Sequence, residues 1–234
     1  MPMACPWNQP NRGRDVASLK NALSWLGPYP ADSLDHFLDG SGKDRAYSRD
    51  QARERPFIRE AEEKNRERFI EHLIVDGERK TAAGPKAQFN YRSDLLAMKD
   101  GDTIHLTPDG FANHKGSMEA WNTIRGTTGH MVSGEMDEAL AFGTSNFKST
   151  DDNGFVATRK GDRITVAGIV THEWDDPYDF HGEESPYPVM NALRDDGRAA
   201  EYHNKSSWRQ EMTATIKIKN GELEIDSVAW RDLD

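Results

Sequence analysis

Cysteine is almost absent from this chain: Cys5 stands alone among 234 residues. An internal disulfide is therefore excluded, and no Cys pair exists to join the eight histidines in a zinc-finger arrangement. Long apolar runs are also missing, and none approaches the roughly 20 residues that a membrane-spanning helix requires. Met1 to Trp25 lacks a basic region followed by an apolar stretch, so no secretory signal is expected. Positive charge is in deficit, with 30 Lys and Arg against 40 Asp and Glu and a formal net charge of −10. That balance excludes a general nucleic-acid surface, which needs a basic stripe. It also means that an anionic substrate must be met by local cations or by a metal. Repeats and low-complexity tracts are lacking. What remains is a very polar folded chain, long enough for one large domain or two small ones.

The hydrophobic period changes along the chain. Residues 1–14 are rich in Pro, Asn, Arg and Gly and read as an irregular arm. Val16, Leu19, Leu23 and Leu26 fit a helical face, and Ser33 to Leu38 a short helix ended by Asp39-Gly40-Ser41-Gly42. Asp50 to Val75 is the longest helix candidate, acceptable only if it starts near Pro56. Lys86 to Arg92 and Thr103 to Leu106 are short strand candidates; Ser133 to Phe142 and Val189 to Ala200 are helix candidates. From Asn146 the period becomes two. Phe155 to Arg159 and Arg163 to Thr171 predict one hairpin, and Thr213 to Lys219 with Leu223 to Trp230 predict another. Asn220-Gly221 is the strongest short turn signal in the chain. The expected fold class is α+β: a helical N-terminal region over 1–80, then an α+β catalytic region over 81–234 with a mainly antiparallel sheet or irregular small barrel. The two are expected to pack as one unit.

The chemistry concentrates in Thr171-His172-Glu173-Trp174-Asp175-Asp176-Pro177-Tyr178-Asp179-Phe180-His181. The alternating stretch before it predicts a half-buried strand, expected to stop near Asp175 because Pro177 cannot donate to a ladder. The acidic cluster is then expected at the junction of strand and exposed loop. Asp176 and Asp179 projecting to one side could hold Mg²⁺ or Ca²⁺, or act as base and orienter for a hydrolytic water. His181 could serve as acid, base or neutral ligand. The plain alternative is a solvated turn. By alternation His172 shares a face with Ile164, Val166 and Val170, so its default reading is a buried or half-buried structural histidine.

Asp175-Asp176-Pro177-Tyr178-Asp179-Phe180 at the end of an alternating strand resembles the active-site segment of colicin M-like bacteriocins. Their Asp-x-Tyr-Asp core maps onto Asp176, Tyr178 and Asp179. The His-Arg pair that follows in the family has no counterpart; Glu184, Ser185 and Pro186 stand there instead. The resemblance implies a mixed α/β domain with an irregular barrel and a Mg²⁺-dependent phosphodiesterase. Such an enzyme cuts the peptidoglycan precursor lipid II between its polyprenyl chain and the pyrophosphate, in the periplasm of a target bacterium. With no secretory signal or import region evident, delivery by a secretion machine into a rival cell is expected, and with it an immunity protein in the producer. Catalytic roles then fall to Asp176, Tyr178, Asp179 and His181, with Asp176 and Asp179 as metal ligands.

Substrate contacts are expected from Arg125 and His130, which flank the small-residue loop Gly126-Thr127-Thr128-Gly129, and from Arg198; the loop matches no phosphate-binding motif and reads otherwise as a simple turn between helices. Lys205 to Gln210 reads either as a substrate-contacting loop or as a strand entrance with Trp208 in the core. A second functional reading is a non-enzymatic accessory or binding protein of a phage or secretion apparatus, in which the acidic turn is structural.

Overall fold

The computed structural model describes residues 17, 21, 28–81, 84–89, 91–106, 119–123, 146–151, 153–179 and 188–233. The helices expected at 16–26 and 133–142 fall wholly or mostly outside these residues. Five helices are described: α1 (Pro28–Leu38), α2 (Arg49–Arg53), α3 (Pro56–Ile74), α4 (Tyr91–Ala97) and α5 (Pro188–Asp195). The strands are β1 (Arg45–Ala46), β2 (Gly77–Thr81), β3 (Gly84–Phe89), β4 (Thr103–Leu106) and β5 (Glu119–Thr123). They continue with β6 (Asn146–Asp151), β7 (Phe155–Lys160), β8 (Arg163–Tyr178), β9 (Tyr202–Lys219) and β10 (Glu222–Asp232). The α+β class expected from the change of period is what the chain adopts.

The single helix expected from Asp50 to Val75 is two helices. Ser48 starts α2 with a capping box: its hydroxyl accepts from the Gln51 amide while the Gln51 side chain accepts from the Ser48 amide. Pro56 then opens α3 at its first turn, where a missing N–H costs nothing, and its ring keeps Arg55 extended. Helix α5 stops at Asp195, short of the expected Ala200. Gly197 takes a φ of 67°, and the Arg198 and Gly197 amides close back on the Leu193 and Arg194 carbonyls at 2.9 and 2.8 Å. This is the Schellman ending that a glycine favours.

Eight strands form one open sheet, ordered β1-β9-β8-β6-β5, with β10 on β9 and β7 bridging β8 to β4; β2 and β3 pair separately. The ladders β4·β7, β5·β6, β6·β8, β7·β8 and β9·β10 are antiparallel. Both expected hairpins are present. Asn220 and Gly221 carry φ values of 54° and 81°, the pair of positive angles that a two-residue hairpin turn requires.

The chain divides into two compact units, each assembled from separate segments. The first comprises Met1–Arg45, Arg125–Ser145 and Asp176–Asn204; the second comprises Ala46–Ile124, Asn146–Asp175 and Lys205–Asp234. The second unit's core joins Phe69 and Leu73 of α3 to Phe155 of β7, Val166 of β8 and Met212 and Ile216 of β9. The first unit's core joins Leu34 and Phe37 of α1 to Leu193 of α5, with Tyr178 and Tyr202. Along β8, Ile164, Val166, Val170 and Trp174 are buried while Thr165, Glu173 and Asp175 are exposed, which is the alternation read from the sequence.

Gly168 interrupts the branched residues of β8 for a packing reason. A Cβ there would lie 2.6 Å from Phe155 Cδ1 and 2.9 Å from the Gly154 carbonyl oxygen. Backbone and a buried ring cannot both retreat, so Gly168→Ala is expected to cost on the order of 1–3 kcal/mol. Chemical denaturation measures it; a stability equal to wild type would show that the strand has slack at this point.

Candidate functional site

Strand β8 does not stop near Asp175. It runs on through Pro177 to Tyr178. The reason lies in its neighbour: β6 begins at Asn146, opposite Asp175, so no β6 residue faces Pro177 and its missing N–H breaks no bond of that ladder. The alternation of β8 therefore continues past the point where the sequence suggests a turn. Asp176 and Tyr178 keep the buried phase, and Asp176 is wholly excluded from solvent. The exposed turn expected around Asp176 is thus replaced by a strand end with a buried carboxylate.

Asn204 of β9, itself fully buried, donates its Nδ2–H to Asp176 Oδ2 at 2.8 Å. Two residues further along β8, Tyr178 stacks on Tyr202 with ring centroids 5.0 Å apart and meets Phe37 edge-on at 5.9 Å. Contacts thus step forward on β8 and backward on β9. The Tyr202 hydroxyl donates to the Ser33 carbonyl at 3.1 Å, tying the stack to α1. Asp179, one residue beyond the strand, is exposed. Two carboxylates three residues apart therefore occupy opposite environments.

Of the remaining candidates, Arg198 is exposed just after α5 in the same unit as Asp176, Tyr178 and Asp179. Arg125, His130 and His181 lie outside the described residues. Among the described residues, no group of three or more His, Cys, Asp or Glu side chains is placed to share a metal ion. Asp176 and Asp179, the ligands expected for Mg²⁺, differ in setting, one buried and one exposed. Asn204 and Tyr202 were not singled out from the sequence. A signal for them exists: Tyr202, Asn204, Ser206, Trp208 and Gln210 alternate along the buried phase of β9, placing polar residues where apolar ones are usual.

The segment Lys205 to Gln210 is strand, with Trp208 in the core. His172 is buried, as the alternation implies, and sits at the centre of a polar chain in the second unit. Its Nδ1 lies 2.7 Å from Ser149 Oγ and its Nε2 lies 2.9 Å from Gln210 Oε1. Asn65 of α3 donates to Ser149 Oγ at 2.9 Å. Gln210 Nε2 donates to Asp232 at 2.7 Å, while Gln210 Oε1 accepts from Arg66 at 2.9 and 3.1 Å. Arg53 forks onto Asp232 at 2.9 and 3.0 Å and also donates to Glu62. Burial pushes the His172 imidazole down to about 4, with Arg66 and Arg53 adding to the effect. Glu62 and the Gln210 bond work against it. The neutral ring is the form that the fold selects, so its contribution to stability is complete above pH 6.5. That contribution is lost as pH falls toward 4.

Compared with known proteins, the chain matches no family model, no curated sequence and no solved structure.

The contrast between the two carboxylates sets a test. Asp176→Ala leaves the buried Asn204 amide without its acceptor and is expected to cost about 1–3 kcal/mol. Asp179→Ala changes an exposed group and is expected to stay within about 0.5 kcal/mol. Equal melting temperatures for the two variants would refute the buried setting of Asp176.

Proposed function

We propose that this chain is a hydrolase of the kind that the colicin M-like bacteriocins represent. It cleaves the polyprenyl-pyrophosphate linkage of lipid II in the periplasm of a target bacterium. The observation that carries the reading is the end of β8. There the Asp-x-Tyr-Asp segment presents Asp179 to solvent while Asp176 is held from behind by Asn204. Hydrolysis of such a linkage needs a positioned water, a group to take its proton, and cations for the phosphoryl oxygens. Asp179 is the carboxylate able to reach a bound water. Asp176 fixes the backbone from which Asp179 leaves the strand. Tyr178 braces the same backbone through its stack on Tyr202. Arg198, exposed and in the same unit, is a cation available to phosphate. A charge of −10 makes such local cations necessary.

The resemblance implies Mg²⁺, with Ca²⁺ as the alternative. Asp176 and Asp179 would be its ligands, and no step is assigned to an ion here. An immunity protein in the producer and delivery by a secretion machine belong to the same proposal. The buried Asp176–Asn204 bond and the Tyr178–Tyr202 stack also suit the other reading, a non-enzymatic accessory protein with a structural strand end.

Release of polyprenol from purified lipid II separates the two. Wild type is expected to release it, and Asp179→Asn to cut the rate by a factor on the order of 100 with an unchanged melting curve. Running the assay with Mg²⁺ and with chelator tests the metal. Full activity in Asp179→Asn removes that carboxylate from catalysis. No release by wild type under any condition leaves the accessory protein.

A further inference from the structure

The polar chain through His172 has a direction, and that direction follows from its charged ends. Asp232 is a carboxylate, held down at about 2 chiefly by its bond from Arg53, so the Gln210 side facing it must be the amide N–H₂. The opposite side of the amide, the oxygen, meets the Arg66 guanidinium, which can only donate. His172 Nε2 faces that same oxygen and must therefore carry its proton. In the neutral ring Nδ1 is then an acceptor, filled by the Ser149 hydroxyl, whose own oxygen receives the Asn65 amide. Every proton between Asn65 and Asp232 is thereby assigned.

We infer that this chain of side chains is an acid-sensitive latch: a second proton on His172 reverses its bond to Ser149 and releases α3 from the sheet, uncovering the helix's apolar side. The added proton can only go to Nδ1. Nδ1–H must then donate to Ser149 Oγ, and the Ser149 hydroxyl hydrogen loses the acceptor that it has in the neutral state. The new cation is enclosed. It has Phe147 of β6 on one face at 5.8 Å, with Trp208 of β9 at 5.6 Å and Trp230 of β10 at 6.3 Å. The charged groups around it are Arg53 of α2, Glu62 and Arg66 of α3, and Asp232 of β10, with Arg49 behind Asp232 at 3.4 Å. Both carboxylates are already bound by guanidinium groups, so neither is spare to receive an imidazolium. The depressed pKa of His172 agrees with that enclosure.

The bonds at stake are those that hold α3. Asn65 reaches Ser149, Arg66 reaches Gln210, and Glu62 accepts from Trp208 Nε1 at 3.3 Å. Losing them removes polar ties that act beside the apolar contacts of Phe57, Ile58, Phe69 and Leu73. The latch is independent of the reaction proposed above.

The test follows the ring and the helix together, by NMR titration of the His172 imidazole and by amide-exchange protection corrected for intrinsic rates. Protection of residues 56–74 is expected to fall about 10-fold or more as pH drops from 6.5 toward 4, in step with the ring, while α1 keeps its protection. His172→Asn should abolish the pH dependence. Gln210→Glu, which offers Nε2 a carboxylate, should raise the ring's pKa and weaken the release, so that protection of α3 falls less between pH 6.5 and 4 than in wild type. The inference is overturned if His172 titrates without loss of protection in α3, or if His172→Asn shows the same loss as wild type. Where His172→Asn does not fold, a loss of protection in Gln210→Glu as large as wild type's overturns it equally.

Discussion

A primary amide has one end that only donates and one that only accepts, and the second unit of this protein is ordered by the way a single such group is turned. Gln210 has a carboxylate at its nitrogen and a guanidinium at its oxygen, so it cannot flip without setting like against like. That choice fixes the tautomer of His172, then the hydroxyl rotor of Ser149. Elements distant in sequence, from α3 to β10, meet at this chain. Arg53 stacks over Trp208 at 5.4 Å and Arg66 over Trp230 at 5.4 Å, so the same cations also cover the aromatic residues around His172. A core of this kind contributes specificity of arrangement as much as stability, because each member has one acceptable orientation.

The first unit uses the same device more sparingly. One amide, Asn204, reaches one carboxylate, Asp176, and the tyrosines beside them do the packing. The effect is to make an acidic strand end rigid from within. An exposed carboxylate that follows a fixed strand end has less freedom than one on a loop, and restricted freedom is what a group handling water or a phosphate requires.

Much of this was readable from the residues. The alternation from Ile164 predicted β8, Asn220-Gly221 predicted the second hairpin, and Pro56 marked where α3 could begin. His172 was placed inside by parity alone. The same parity, carried two more steps, would have put Asp176 inside as well; Pro177 argued against carrying it. A proline ends a strand only where a partner needs its N–H, and the length of β6 is a property of the folded pair. The bonds to His172 from Gln210, 38 residues away, and to Asp176 from Asn204, 28 residues away, have no local signature. Polar residues in the inward phase of β9 gave the only hint. The break between α2 and α3 and the early end of α5 follow from local chemistry, in Pro56 and Gly197, which overrides the apolar pattern.

Neither unit is a continuous length of chain. The first is closed by residues up to Asn204, and the second by residues up to Asp234. On the ribosome the helices of the first hundred residues emerge well before the partners that bury them. Asn65 waits for Ser149, Phe37 waits for Tyr178, and Arg53 waits for Asp232. Domains that fold as contiguous blocks can settle one after another during synthesis. Here α3 lacks its full set of partners until β9 and β10 have been made. The strongly charged outer surface of that helix, with its Glu and Arg residues, is what keeps so long-exposed a segment in solution while it waits.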